Sequence, residues 1–155
     1  LEQAKFTFFC NCFEDALKKT LAQITDVMIE GCKENHVDSG KKLSSVVGVV
    51  GLHKGRIHVT MAEKLIQTLY ECANGESVSD EMDLCFYLAE LTNMITGNSV
   101  TQLNNAYKGT NLRLTPPAIF ADEHIDIATP QVQSSTRMFD SNYGPIRIEI
   151  GFEGV

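Results

Sequence analysis

Residues 44–60 read SSVVGVVGLHKGRIHVT, and the fold class turns on this stretch. Ser44 to Leu52 is β-branched and glycine-rich, Lys54-Gly55 offers a tight turn, and Arg56 to Thr60 resumes an alternation of apolar and polar side chains. That pattern predicts a β-hairpin. Gly48 and Gly51 permit close backbone approach, but neither GxGxxG nor GxxxxGKS occurs, so a phosphate-cradling loop is not expected.

Upstream of the hairpin, Phe9, Phe13, Leu17, Leu21, Ile24 and Met28 recur at spacings of three and four, which predicts a helix from Phe6 to Glu30 stopped by Gly31. Downstream, Ala62, Leu65, Ile66 and Leu69 give one apolar side to a short helix from Met61 to Cys72, with Asn74-Gly75 as its end. Ser79-Asp80-Glu81 then supplies a cap and an acidic first turn for a longer helix reaching Tyr107. Thr115-Pro116-Pro117 cannot continue that helix. Three strands are expected after it: Ile119 to Thr129, Val132 to Phe139, and Pro145 to Phe152, the last alternating Ile146, Ile148 and Ile150 against Arg147 and Glu149. The order helix, hairpin, two helices, strands, with short connections, predicts an α+β fold: an antiparallel β-sheet with helices packed on it, rather than a doubly wound parallel sheet. No linker or low-complexity run divides the chain, so a single domain over residues 1–155 is expected.

Composition narrows the function classes. Apolar residues at 43% and charged residues at 21% are an ordinary globular mix. The most apolar stretch, Val46 to Leu52, meets His53 and Lys54 long before the roughly 18 to 20 apolar residues of a membrane span. No secretory pattern opens the sequence, and the five cysteines (Cys10, Cys12, Cys32, Cys72, Cys85) form an odd set without a CxxC pair, as expected of small hydrophobes in a reducing cytoplasm. A net charge of −7 with 13 scattered Lys and Arg argues against nucleic acid and favours a partner with positive charge at its contact. Ser44-Ser45 and Ser134-Ser135 lack a GxSxG elbow, and His36, His53, His58 and His124 form no HExxH, so neither a serine hydrolase nor a zinc site is expected. His53 and His58 flank the hairpin turn and are expected to face solvent.

The chemistry concentrates on Leu84 to Gly97, LCFYLAELTNMITG. Leu84, Leu88, Leu91 and Ile95 form one stripe; at about 100° per residue Glu90 lies roughly 100° to 160° from them and Asn93 almost opposite their centre. Glu90 and Asn93 thus share a face that avoids the core. Gly97 falls on it one turn further on, where a missing side chain lets another surface come close. An acid, an amide and a bare patch make a docking surface for a second protein. ExxN also occurs at Glu71 to Asn74, but Asn74-Gly75 is better explained as a helix end.

The run Ala89-Glu90-Leu91-Thr92-Asn93-Met94-Ile95-Thr96-Gly97-Asn98 resembles the signature helix of the CheC/CheX/FliY phosphatases. Asn11 to Ala16, Gly48 to Leu52 and Pro116 to Ile119 resemble further parts of that family, so the likeness spans roughly Phe9 to Phe152. One credible ExxN site rather than two makes the chain similar to the CheX branch, whose members form homodimers. The residue before Glu90 is Ala89, where the family often has Gly.

The resemblance implies a cytoplasmic phosphatase that hydrolyses the aspartyl phosphate of a CheY-like receiver domain. Catalysis is then expected from Glu90 and Asn93, and partner contact from Met94, Thr96, Gly97 and Asn98. Asn93 suits the task because its amide accepts a hydrogen bond from water, donates one toward a phosphate oxygen and carries no repelling charge. Glu90 is assigned by the resemblance to an ion pair with the receiver's active-site Lys. No cofactor is expected in this chain; the Mg²⁺ belongs to the receiver. The alternative is a non-catalytic receiver-binding or flagellar-switch-like module on the same fold.

Overall fold

The computed structural model describes residues 2–31, 40–78, 80–121 and 132–154. Within them lie helices α1 (Glu2–Ile24), α2 (Glu63–Asn74) and α3 (Glu81–Ala106), and strands β1 (Glu30–Gly31), β2 (Lys42–Val50), β3 (Gly55–Ala62), β4 (Arg113–Leu114), β5 (Ala118–Ala121), β6 (Gln133–Asp140) and β7 (Ile146–Phe152). The strands form one antiparallel sheet in the order β1-β6-β7-β3-β2-β4, with β5 pairing beside β4 on the outer side of β2. The α+β reading of the sequence holds.

The hairpin sits at the centre of that sheet. Leu43 faces Met61, Ser45 faces Val59 and Val47 faces Ile57, while Ile57, Val59 and Met61 oppose Ile150, Ile148 and Ile146 of β7. Successive residues of a strand point to opposite faces, so this register places one buried set of Leu, Val, Ile and Met on a single side of the sheet. The helices cover that side: α3 packs on β2 and β5, α2 on β3, and α1 on β7 and α3. Phe9 and Phe13 of α1 close over Phe152, with ring centroids 5.1 and 6.0 Å apart. The glycines of the hairpin are matched to their own chain: a Cβ on Gly48 would meet Thr115 Oγ1 at 2.7 Å, and Gly51, at φ +137°, turns beneath the Asn111 carbonyl.

Several local expectations are corrected. Helix α1 ends at Ile24 rather than Glu30, because Thr25 Oγ1 accepts a hydrogen bond from the Val27 amide at 3.3 Å and turns the chain. Met28 therefore lies off the helix and 75% exposed, and Gly31 belongs to β1, opposite Phe139. The hairpin turn spans residues 51–54, with Gly55 already in β3 and packed on the Phe152 ring. His53 and His58 are buried, not solvent-facing. His53 is drawn under α1, where its Nε2 lies 2.9 Å from Lys5 Nζ and its ring meets Phe9 edge-on; His58 stands in mid-strand between Val46 and Glu149. Cys32, His36, Ser79, His124 and the stretch 122–129 of the expected strand lie outside the described residues. Of the remaining cysteines, Cys10 and Cys12 are buried, Cys85 half-buried and Cys72 exposed, each with a free thiol.

Candidate functional site

Helix α3 is held at both ends. At its start Asp80 is the N-cap, its carboxylate accepting from the Met82 amide at 2.8 Å, and Glu81 and Asp83 place negative charge in the first turn, where the helix dipole favours it. At its end the Asn104 amide accepts from the Leu112 backbone N–H at 2.8 Å and from the Thr110 hydroxyl at 2.9 Å, and donates to the Leu112 carbonyl at 3.0 Å. One side chain thus ties the return loop to the last turn of the helix.

The inward face is apolar with its few hydroxyls satisfied internally. Leu84, Leu88, Leu91, Ile95 and Leu103 are fully buried. Thr92, Thr96 and Ser99 donate to the carbonyls of Leu88, Thr92 and Ile95 at 2.7, 2.7 and 2.8 Å, so each finds its partner within the helix. Tyr87 is also buried and donates to the Leu69 carbonyl at 3.3 Å; burial first, then the negative charge of Glu90, pushes its hydroxyl up to about 12.

On the outward face Glu90, Asn93, Met94 and Asn98 are exposed and Gly97 is half-exposed. Among the described residues no hydrogen bond or ion pair engages the Glu90 carboxylate or the Asn93 amide. A Cβ placed on Gly97 would have nothing within 4 Å. The carboxylate and the amide therefore stand side by side over an open surface, free to take partners from outside. Thr96 does not belong with them: its side chain is fully buried, so it cannot touch a docked protein. Asn74 of the second ExxN donates to the Tyr70 carbonyl beside Gly75, whose φ of 74° closes α2, and takes no part in the site.

Two further side chains share this face. Met82 and Phe86 are 65% and 67% exposed, and Phe86 precedes Glu90 by one turn. The signal in the sequence was the same helical period that located Glu90, read toward the N-terminus. Among the described residues no group of three or more His, Cys, Asp or Glu side chains is placed to hold a metal ion, and no helix is long and apolar enough to cross a membrane.

Comparison with known proteins bears on this arrangement. The family model described as chemotaxis phosphatase CheX matches residues 43–139. No curated protein sequence matches significantly. Among solved structures, a CheC-like superfamily protein from Shewanella sp. PV-4 is 30% identical, with a TM-score of 0.77 over 95% of this chain and 98% of that one. Chemotaxis protein CheX from Vibrio vulnificus is 24% identical, with a TM-score of 0.80 over 94% and 96% of the two chains. The chain is also similar in fold to the CheX–CheY–BeF3–Mg²⁺ complex from Borrelia burgdorferi, at 22% identity and a TM-score of 0.72 over 94% and 97%.

Proposed function

The chain is a member of the CheX family of chemotaxis phosphatases, and on that premise we propose that it hydrolyses the aspartyl phosphate of a CheY-like receiver domain, with Asn93 orienting the attacking water and Glu90 anchoring the receiver. The observation that carries this reading is the exposure of both groups, one helical step apart, on a surface that their own chain leaves uncovered. The B. burgdorferi complex, in which a CheX is joined to CheY, BeF3 and Mg²⁺, supports a receiver as the partner.

The chemistry asks little of such a helix. Water attacks phosphorus in line with the leaving carboxylate; the bond between phosphorus and the aspartyl oxygen breaks with its electron pair on that oxygen, and a water proton is lost to solvent. Because phosphoryl transfer is governed by positioning and charge stabilisation, the receiver's own Mg²⁺ and Lys serve the phosphoryl oxygens, and this chain has only to fix the nucleophile. The Asn93 amide accepts from the water through its oxygen and donates toward a phosphoryl oxygen through its nitrogen. A carboxylate in its place would repel the anion it must approach. Glu90, an acceptor only, suits the receiver's Lys ammonium, and the ion pair sets the register of the two proteins. Met94, Gly97 and Asn98 lie on or beside the same outward face and complete the contact.

A homodimer in the cytoplasm belongs to this reading. Among the described residues only Phe139 and Asp140 of β6 pair on its outer side, with β1, and no described strand covers the edge from Gln133 to Met138, where a strand from a second copy would add. Sedimentation equilibrium reads the assembly directly.

The experiment for the activity is phosphate release from receiver domains charged with acetyl phosphate. Asn93→Ala should lower the accelerated rate by about a hundredfold or more, the usual scale for losing a positioning contact, while receiver binding is largely retained. Glu90→Ala should weaken capture and turnover together. A rate unchanged in Asn93→Ala rejects the catalytic assignment. Binding of the phosphorylated receiver by the unaltered protein without faster phosphate loss assigns it instead to the non-catalytic module.

A further inference from the structure

Resting on the reading above, we propose that the receiver-docking surface extends from the Glu90–Asn93 pair toward the start of α3, with Phe86 as its apolar anchor and Met82 beyond it. Met82, Phe86, Glu90, Asn93 and Gly97 follow one another at spacings of three and four along the same side of the helix, with Met94 at its margin one turn beyond Glu90, so they form one continuous stripe. Phe86 and Met82 are about two-thirds exposed, while every other phenylalanine of α1 and β7 except Phe8 is buried. An aromatic ring left in water beside a site, flanked by the exposed Met82 and Met94 while Leu84, Leu88, Leu91, Ile95 and Leu103 of the same helix pack inward, is the composition of an interface centre rather than of ordinary surface.

The charge along the stripe defines its occupant. Glu90 is the one ionised side chain among those six, the exposed Asp83 one turn before Phe86 adds a second acid beside the near end, and Gly97 leaves the far end bare. The partner that matches is a protein presenting one cation opposite Glu90 and an uncharged apolar patch displaced along the helix by about 6 Å for Phe86 and about 12 Å for Met82, at about 1.5 Å rise per residue. A receiver that offers its active-site Lys to Glu90 supplies the first element, and the stripe then requires the apolar patch on the rim of the same pocket. A second copy of this chain fits less well: pairing two α3 helices across a two-fold axis through this stripe covers Asn93 in both copies and shuts Glu90 between apolar groups without a cation. Phe86 thus selects which receiver is served, and Asn93 acts on whichever one is held.

The test uses the full chain with CheY-type receivers from the same genome. Binding is measured with beryllofluoride-charged receiver, and turnover with phosphorylated receiver. Phe86→Ala should raise Kd and KM about tenfold or more with kcat within about twofold, Phe86→Leu should recover most of the loss, and Asn93→Ala should do the reverse, lowering kcat with Kd nearly unchanged. Circular dichroism and thermal melts matching the unaltered protein establish that Phe86→Ala is folded. Kd and KM unchanged in Phe86→Ala, with Asn93→Ala still defective in kcat, overturn the extended surface and leave the phosphatase reading standing. A shift of Phe86→Ala from dimer to monomer assigns the ring to contact between copies and also overturns it. If the unaltered protein neither binds nor dephosphorylates any receiver, the functional reading fails and the docking surface fails with it.

Discussion

At the scale of single residues, two pairs show how neighbours decide what a side chain can do. Asn93 and Thr96 are three positions apart on one helix, yet the first reaches open solvent and the second is spent on the Thr92 carbonyl. The motif run in the sequence named both; about 60° around the helix separates them, and Thr96 falls beside the buried Thr92 and Leu103 while Asn93 lies past the edge of that face. Lys5 and His53 are the other pair. The imidazole is buried, its Nε2 accepts from the Lys5 ammonium at 2.9 Å, and the ammonium also stands 4.9 Å from the centre of the Tyr107 ring. Burial, then the Lys5 charge, lowers the pKa of His53 below its ordinary 6.5, against a smaller opposing pull from the Glu153 and Gly154 backbone. Since the unfolded chain then binds more protons than the folded one, the neutral imidazole's contribution is complete above about pH 6.5 and is lost as pH falls from there through the folded value. Urea titrations at stepped pH should therefore show His53→Gln with a flatter acid-side decline than the unaltered protein. Equal slopes would mean that the imidazole titrates as freely in the fold as outside it.

At the scale of elements, the strongly periodic segments were legible and the short ones were not. The hairpin, α2, α3 and β7 appear where repeating patterns put them, because each buries a continuous apolar face. The strands β1 and β4, of two residues each, and the inward turn of His53 depend on distant partners: Phe139 and Asp140 for β1, Val49 and Val50 for β4, and Lys5 and Phe9 for His53. No local pattern carries that information. The end of α1 failed for a related reason, since Met28 continues the period while Thr25 has already diverted the backbone. The candidate site was legible to the extent that helical geometry predicts exposure, which Glu90 and Asn93 show, while their proposed roles come from the family resemblance; Phe86, equally accessible to that geometry, was hidden by its apolar type. Gly97 gives the prediction proper to this scale. With open space at its Cβ and a helical backbone, Gly97→Ala should stabilise the protein by up to about 1 kcal/mol, seen as a higher melting temperature, because only backbone freedom is removed. Gly97→Leu should keep the fold and raise KM for the receiver, as a larger side chain rises between the two surfaces. A Gly97→Leu protein with unaltered KM would place that turn outside the contact.

For the molecule as a whole, the buried core and the proposed docking surface lie on opposite sides of one helix. The interior joins α1 to the sheet through Phe9, Phe13 and Phe152, and Phe152 also fills the space that Gly55 leaves beside it, where a Cβ would come within 2.5 Å of the ring. Phe152→Ala should cost about 3 to 5 kcal/mol of unfolding free energy in urea titration, the range for emptying a fully packed aromatic site, and the receiver-dependent rate should survive wherever the protein stays folded. A loss below about 1 kcal/mol would show that the helices and the sheet hold together without that ring. The fastening of α3 by Asp80 at one end and Asn104 at the other has its own kinetic meaning. A surface whose backbone is already set needs no rearrangement on encounter, so association should proceed in a single diffusive step that slows with viscosity and shifts with ionic strength, and selectivity among receivers should appear in how long each one stays.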